Sequence, residues 1–253
     1  MSYPMAAPRS HQIDVVDQVS RAYGVVVGNV QLVVEMALLP YLIVLASELI
    51  VLLVAGGFFG GLLGTLIHAI VLLIFGTVFI VRWHRFILVG ERVSGGLIPP
   101  GWTPFVIVGL KLGIAVFVGW VVLAFLAAMP PRFLTAPLAV IGGIALALFS
   151  LRVSLVFPAA AIERPVGFRT AWDWIAGNFW RLFVCALACY VPFIIAQIIV
   201  GWIAALFPSL FWIVFAALQL AISFVGGAVA AGLLSHLYRE MIGDGSLAAS
   251  TLP

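Results

Sequence analysis

Residues 182–238 run for 57 consecutive positions without an Asp, Glu, Lys or Arg. No water-facing chain folds around such a stretch. A helix needs about 20 apolar residues to cross a hydrocarbon core. The run therefore holds two crossings, with Phe207-Pro208-Ser209 as the turn between them. A second charge-free run covers 33 positions, residues 49–81. It is too long for one untilted crossing, and Gly56-Gly57-Phe58-Phe59-Gly60-Gly61 predicts a break inside it. The chain is 65% hydrophobic and 8% charged, against about a quarter charged in soluble domains. The exterior of a soluble fold cannot be built from that inventory, so lipid is the main solvent.

Read along its length, the chain predicts an all-α polytopic membrane bundle of about six transmembrane helices plus two interfacial amphipathic helices. Residues 1–10 form a polar lead. Ile13, Val16, Val19, Tyr23 and Val26 recur at helical spacing with Asp14, Asp17, Gln18 and Arg21 between them, which predicts a helix over 11–28 lying in the interface. The spans fall at about 29–55, 62–87, 103–129, 134–158, 179–206 and 210–238, with a short tail at 241–253. Gly95-Gly96 and Pro99-Pro100-Gly101 mark a loop over 90–103, and Pro130-Pro131-Arg132 a tight turn. Arg164, Arg169 and Asp173 stand beside Phe168, Trp172 and Trp174, the mixture of charge and rings found at membrane boundaries, and predict the second interfacial helix over 166–177.

Charge placement predicts the orientation. With six spans, Arg9, Arg21, Arg82, Arg85, Arg92, Lys111, Arg152, Arg164, Arg169, Arg181 and Arg239 lie on or nearer one side and Arg132 on the other. The positive-inside rule makes the first side cytoplasmic, with both termini there, as in a bacterial inner membrane. The basic residues are scattered singly, without the stripe that nucleic acid needs. Asp14 and Asp17 interrupt any signal-peptide apolar stretch, which predicts a retained N-terminus. Cys185 and Cys189 lie one turn apart with no second cluster to complete a metal site, and read as apolar packing.

Ala22-Tyr23 with Gly28-Asn29 returns as Ala171-Trp172 with Gly177-Asn178, each time ahead of a span holding a proline, Pro40 or Pro192. Spans two, four and six end in Glu91-Arg92, Glu163-Arg164 and Arg239-Glu240. The chain thus reads as three hairpins in tandem, with a parallel repeat between the first and the last. Trp83-His84-Arg85-Phe86 followed by Gly90-Glu91-Arg92, residues 152–158 followed by Glu163-Arg164, and Gly177-Asn178-Phe179-Trp180-Arg181-Leu182 carry a resemblance. The chain resembles a broad group of bacterial inner-membrane proteins that includes the membrane domain of some glycerophosphoryl diester phosphodiesterases. In those enzymes the chemistry resides in a separate soluble domain, so the resemblance implies topology and no catalysis.

Charges inside spans are costly, about 2.5–3.5 kcal/mol each near the centre on insertion scales, and call for partners. Glu35 is predicted to pair with Lys111 or Arg152, and Glu48 to share a proton with His68. The second pair reads either as a proton relay or as glue between neighbouring helices. Glycines 56, 60 and 64, 57 and 61, and 109 and 113 have the spacing of close helix contacts, within one chain or between two. Pro40 and Pro192 read either as packing kinks or as broken helices around a midplane site. Trp83, Trp102, Trp172, Trp174 and Trp180 suit interfacial anchoring. Arg164, Arg169 and Arg181 with Trp172, Trp174 and Trp180 are candidates for an anionic lipid headgroup.

No Ser-His-Asp set, carboxylate pair, phosphate-binding glycine loop or cofactor motif can be assembled. The sequence therefore predicts a non-catalytic scaffold, assembly partner or lipid-associated component, touching membrane lipids and other membrane subunits. A small transporter or channel, with polar sites at Glu48/His68 and Glu35/Lys111, is the alternative.

Overall fold

A computed structural model of the chain describes residues 12–54, 58–92, 96–128, 132–207 and 212–242. Among them the elements are all helices: α1 Val15–Val27, α2 Val30–Val54, α3 Phe58–Val89, α4 Trp102–Ala128, α5 Arg132–Arg152, α6 Val156–Ala161, α7 Phe168–Trp174, α8 Phe179–Leu206 and α9 Trp212–Ile242. Six of them, α2, α3, α4, α5, α8 and α9, are long and apolar enough to cross a membrane. The protein is an all-α, multi-pass membrane bundle.

One helix, α9, is its centre. α9 packs against α1, α2, α3, α6 and α8, and small residues let three of these approach closely. A Cβ on Gly226 would stand 3.1 Å from Phe193 of α8, one on Gly227 3.2 Å from Ile80 of α3, and one on Gly232 3.2 Å from Val25 of α1. Without a hydrophobic force between helices in lipid, such close packing is a main source of association. Phe224 of α9 takes Tyr41 edge-on at 5.8 Å and Phe79 at 5.3 Å.

The expected single span over 134–158 is instead two helices. α5 stops at Arg152, and α6 resumes at Val156 and is almost wholly buried. Pro158 supplies the reason. A proline inside a helix clashes with the carbonyl four residues back, here that of Ser154. The break moves Pro158 into the first turn of α6, where no amide is needed, and the Ser154 carbonyl accepts from Phe157 N at 3.1 Å. α6 ends in a Schellman turn, with Glu163 N bonded to Ala160 O at 3.0 Å and Arg164 N to Ala159 O at 2.9 Å. Glu163 takes the left-handed position of that turn, φ 61°, where glycine is usual. Gly101, at φ +78°, lies on the same helix end. A Cβ there would fall 2.1 Å from Ala161 O.

α1 is the first of the two expected amphipathic helices. Its helix is present, N-capped by Asp14, whose carboxylate accepts from Val16 N and Asp17 N. Gln18 meets Glu240 and Ala22 meets Gly232, so α1 runs antiparallel alongside α9. Gln18, Ala22 and Val26, four residues apart, are the buried stripe that takes it there.

α4 and α5 form an outlying hairpin. It is closed by Gly119 under Leu146 and Gly142 under Leu123, and Phe117, Phe125 and Ile141 are each more than 60% exposed. None of the span over residues 135–152 is buried in the chain, as expected where lipid supplies the cover.

Other boundaries shift less. α3 already includes Phe58, Phe59, Gly60 and Gly61, and the rest of the predicted break, Gly56-Gly57, lies outside the described residues, as does residue 55. So do most of the turn at Pro130-Pro131, Pro208-Ser209 in the turn between the last two spans, residues 1–10 and residues 243–253. α9 extends to Ile242, past the expected end at 238, and α7 occupies the middle of 166–177. α2 and α8 continue unbroken through Pro40 and Pro192. Of the spaced glycines, Gly64 faces Val51 of α2, where a Cβ would stand 3.2 Å away, while Gly61 and Gly113 face open space.

Candidate functional site

The polar chemistry gathers at one end of the bundle, where α1, α8 and α4 begin and α3, α5 and α9 finish. The ends of α3 and α6 leave carbonyls without helical partners, and arginines answer them. Arg239 donates to Ile87 O and Leu88 O in the last turn of α3. Arg85 donates through Nη1 to Ala161 O at the end of α6, 3.1 Å away, and through Nε to Glu91 at 2.5 Å, with Glu163 at 3.6 Å. Arg82 donates to Gly96 O at 2.7 Å and Leu97 O at 3.2 Å in the loop before α4. The acid–base neighbours that close spans two, four and six thus converge around the end of α3.

Beneath this layer lie buried polar pairs. His84 Nδ1 and Ser235 Oγ are 2.7 Å apart, with both side chains enclosed. Trp83 Nε1 donates to Ala228 O at 2.9 Å. Gln18 Nε2 donates to Glu240. Trp83 is wholly buried, so it is a core residue and not a boundary anchor.

The start of α1 is stapled to the start of α8. Asn178 Oδ1 accepts from Ile13 N at 3.2 Å, and Arg181 donates to Ile13 O at 2.8 Å and to Gln12 Oε1 at 3.0 Å. Further along the same two helices, Tyr23 donates to the Ala188 and Cys189 carbonyls at 3.3 and 3.2 Å.

These contacts rearrange the predicted sites. Glu35 does not meet Lys111 or Arg152. It accepts from Gln31 Nε2 at 2.9 Å on an exposed face of α2. Lys111 is exposed on α4. Arg152 lies over the Trp172 ring, 3.8 Å from its centroid, with Phe179 at 5.6 Å, a cation–π site in place of an ion pair. Nor does Glu48 hold His68, whose Nδ1 is 2.9 Å from Ser47 Oγ, one residue earlier on α2. Ser47 itself donates to Val44 O at 2.7 Å.

The six lipid candidates separate as well. Arg181 is engaged within the chain, and Trp174 is buried against Tyr238, with ring centroids 5.8 Å apart. Trp172 serves Arg152. Arg164 is half-buried, while Arg169 and Trp180 are exposed.

Two apolar grooves open on the membrane-facing surface. One, of about 520 Å³, lies between α3 and α4 with Phe157 of α6 at its side. The other, of about 510 Å³, lies between α2 and α3 beside Ser47 and Gly64. None of Glu35, Glu48, His68 and Lys111 lines either groove. Among the described residues no three His, Cys, Asp or Glu side chains stand together as a metal site, and the Cys185 and Cys189 thiols are free and buried.

The sequence signal for this layer lies in the three acid–base neighbours, but their convergence on α3 depends on α6 stepping into the core. No protein-family model, curated protein or solved structure matches this chain.

Proposed function

We propose that this protein is a non-catalytic, multi-pass component of a bacterial inner membrane, with both termini cytoplasmic, acting as a scaffold, assembly partner or lipid-associated subunit. The observation that supports it is what the polar side chains do. They tie helix ends and neighbouring helices to one another: Arg85 to Glu91 and Ala161, Arg239 to the end of α3, His84 to Ser235. Gln197 likewise joins Gln219 O at 2.9 Å and Ser223 Oγ at 2.8 Å. Groups engaged in this way rigidify a bundle and are unlike the convergent, unpartnered set a catalytic centre needs. The cytoplasmic placement follows from the basic residues crowding this same end.

Membership in the group resembling the phosphodiesterase membrane domain belongs to the same proposal. Of the residues that carry the likeness, Arg85, Glu91 and Glu163 belong to the polar layer, Trp83 and His84 to the buried pairs beneath it, and Arg181 to the tie between α1 and α8. That suits a motif specifying architecture.

The transporter reading is favoured by one side chain. Glu48 is half-buried and has no hydrogen-bond or ion-pair partner among the described residues. Reconstitution into vesicles decides between the two. The scaffold reading expects no solute or proton flux above protein-free vesicles, together with lipids or neighbouring subunits retained when the protein is released gently and weighed intact. Flux that disappears in Glu48→Gln would overturn it.

A further inference from the structure

Two exposed charges within the spans, Glu35 and Lys111, are on the wrong faces to meet within one chain, yet each has the partner chemistry the other lacks. α2 packs on α1, α3 and α9, while α4 packs on α3, α5 and α6, so α3 stands between them. Both are exposed on faces that look out of the bundle. Gln31 is Glu35's hydrogen-bond partner, and it is neutral. Lys111 has no hydrogen-bond or ion-pair partner among the described residues. An ionised side chain facing hydrocarbon is costly, and such residues normally face protein or water and pair.

Their depths lie within about two helical turns of each other. Ser47 beside His68 and Val51 beside Gly64 set the register of α2 on α3 and carry Glu35 level with about residue 80 of α3. Phe105 beside His84 and Trp102 bonded to Thr77 set α4 on α3 and carry Lys111 level with residues 68–78. At about 1.5 Å per residue, the middle of that range lies roughly 10 Å deeper than Glu35 along the membrane normal. Both helices run away from the basic end, so both side chains lean back toward it. The longer lysine stem leans further and narrows the gap. The flanking surfaces are apolar and exposed: Val34, Leu38 and Leu42 beside Glu35, and Ile107, Ile114 and Val118 beside Lys111.

We infer that a second copy of this chain covers the α2 face, its Lys111 pairing with Glu35, so that copies associate head to tail around an axis normal to the membrane. Such an axis preserves depth, which is why the reach of the lysine stem matters, and different faces meeting in sequence give a ring where the rotation closes. This association requires only the membrane architecture and stands apart from the scaffold and transport readings.

The test is disulfide capture in native membranes, with the buried Cys185 and Cys189 replaced by alanine and the charge pair left in place. Leu38 and Ile107, one turn from Glu35 and Lys111, stand at one level by the same registers. A chain carrying Leu38→Cys and a differently tagged chain carrying Ile107→Cys are co-produced and oxidised. A mixed dimer is expected, neither chain alone should cross-link, and a chain carrying both cysteines should give a ladder of higher multiples. Independently, Glu35→Lys or Lys111→Glu should abolish the multimer seen by intact-mass measurement in lipid discs of phosphatidylethanolamine and phosphatidylglycerol, and the two together should restore it. Absence of the mixed dimer overturns the pairing. So does a monomer in the discs whose bound phosphatidylglycerol is lost in Lys111→Gln, since that result gives Lys111 to a lipid phosphate.

Discussion

Tyr23 of α1 repairs the hydrogen-bond gap that Pro192 opens in α8. Proline has no amide to offer the carbonyl four residues earlier, which here is that of Ala188, and the Tyr23 hydroxyl donates to it and to Cys189 O. The ring stacks on Phe193 with centroids 6.3 Å apart. Burial, helped by Cys189, raises the phenol above its ordinary pKa of 10.0, so the donor is retained across physiological pH. Tyr23→Phe should cost about 1 kcal/mol, the ordinary net worth of such a bond. In a Pro192→Ala background, where residue 192 regains an amide for the Ala188 carbonyl, the same change should cost nearly nothing. Unfolding in mixed micelles, run as a double-mutant cycle, reads the coupling.

Gly101 and Gly90 separate backbone freedom from steric fit. Both have positive φ, +78° and +71°, but only Gly101 has a neighbour in the way, Ala161 O at 2.1 Å from its would-be Cβ. Gly90→Ala should cost about 1–2 kcal/mol, the left-handed penalty alone. Gly101→Ala should cost about 1–3 kcal/mol beyond that, for displaced packing. Equal midpoint losses in the two variants would contradict the contact.

Arg85 and Glu163 touch, yet their substitutions should act in opposite directions. Glu163→Gly relieves a left-handed residue, worth about 1 kcal/mol, and gives up a 3.6 Å contact from a carboxylate that is 59% exposed, worth about 0–1 kcal/mol. Its stability should hold or rise. Arg85→Ala strips the Ala161 carbonyl and Glu91 of their donor together and should lower stability by about 2–3 kcal/mol. Unfolding midpoints of the two variants, measured side by side, read the signs.

Ser235→Ala leaves His84 Nδ1 enclosed without its partner and should cost about 1–3 kcal/mol, the penalty for an unsatisfied buried group. Converting both, His84→Phe with Ser235→Ala, should recover part of the loss, because removing both polar partners is gentler than orphaning one. Thermal unfolding of the single and double variants beside the parent checks the order.

Among the arginines assigned to lipid from sequence, Arg169 and Arg181 should now behave differently. Arg169→Gln should reduce retained anionic lipid with the unfolding midpoint unchanged, within about 0.5 kcal/mol, as for an ordinary surface position. Arg181→Gln releases Ile13 and should speed proteolysis of the α1 segment while leaving lipid retention alone. Intact-mass measurement and limited proteolysis on the same samples distinguish them.

Hydropathy made the number and rough placement of the spans legible, because length against bilayer thickness is a one-dimensional constraint. Side chains facing lipid and side chains facing other helices are both apolar, so the pattern carries little about which face meets which helix. Hence Trp83 reads as a boundary ring when it is core, and Glu35 and Lys111 read as neighbours when α3 separates them. The break after Arg152 is written in Pro158, but a proline also sits inside continuous α2 and α8, and only packing decides between the outcomes. The acid–base neighbours are visible as punctuation. Their meeting at Arg85 requires knowing that α6 turns inward.

That the hub follows in sequence the helices it holds has a consequence for biogenesis. A translocon delivers spans in order, and α1, α2, α3, α6 and α8 all emerge before the helix they pack upon. Until residues 212–242 leave the ribosome, the earlier segments must wait in the bilayer with lipid in the place of α9. A chain released early therefore offers the membrane's quality-control proteases an unassembled set of spans, and not a smaller version of the finished protein.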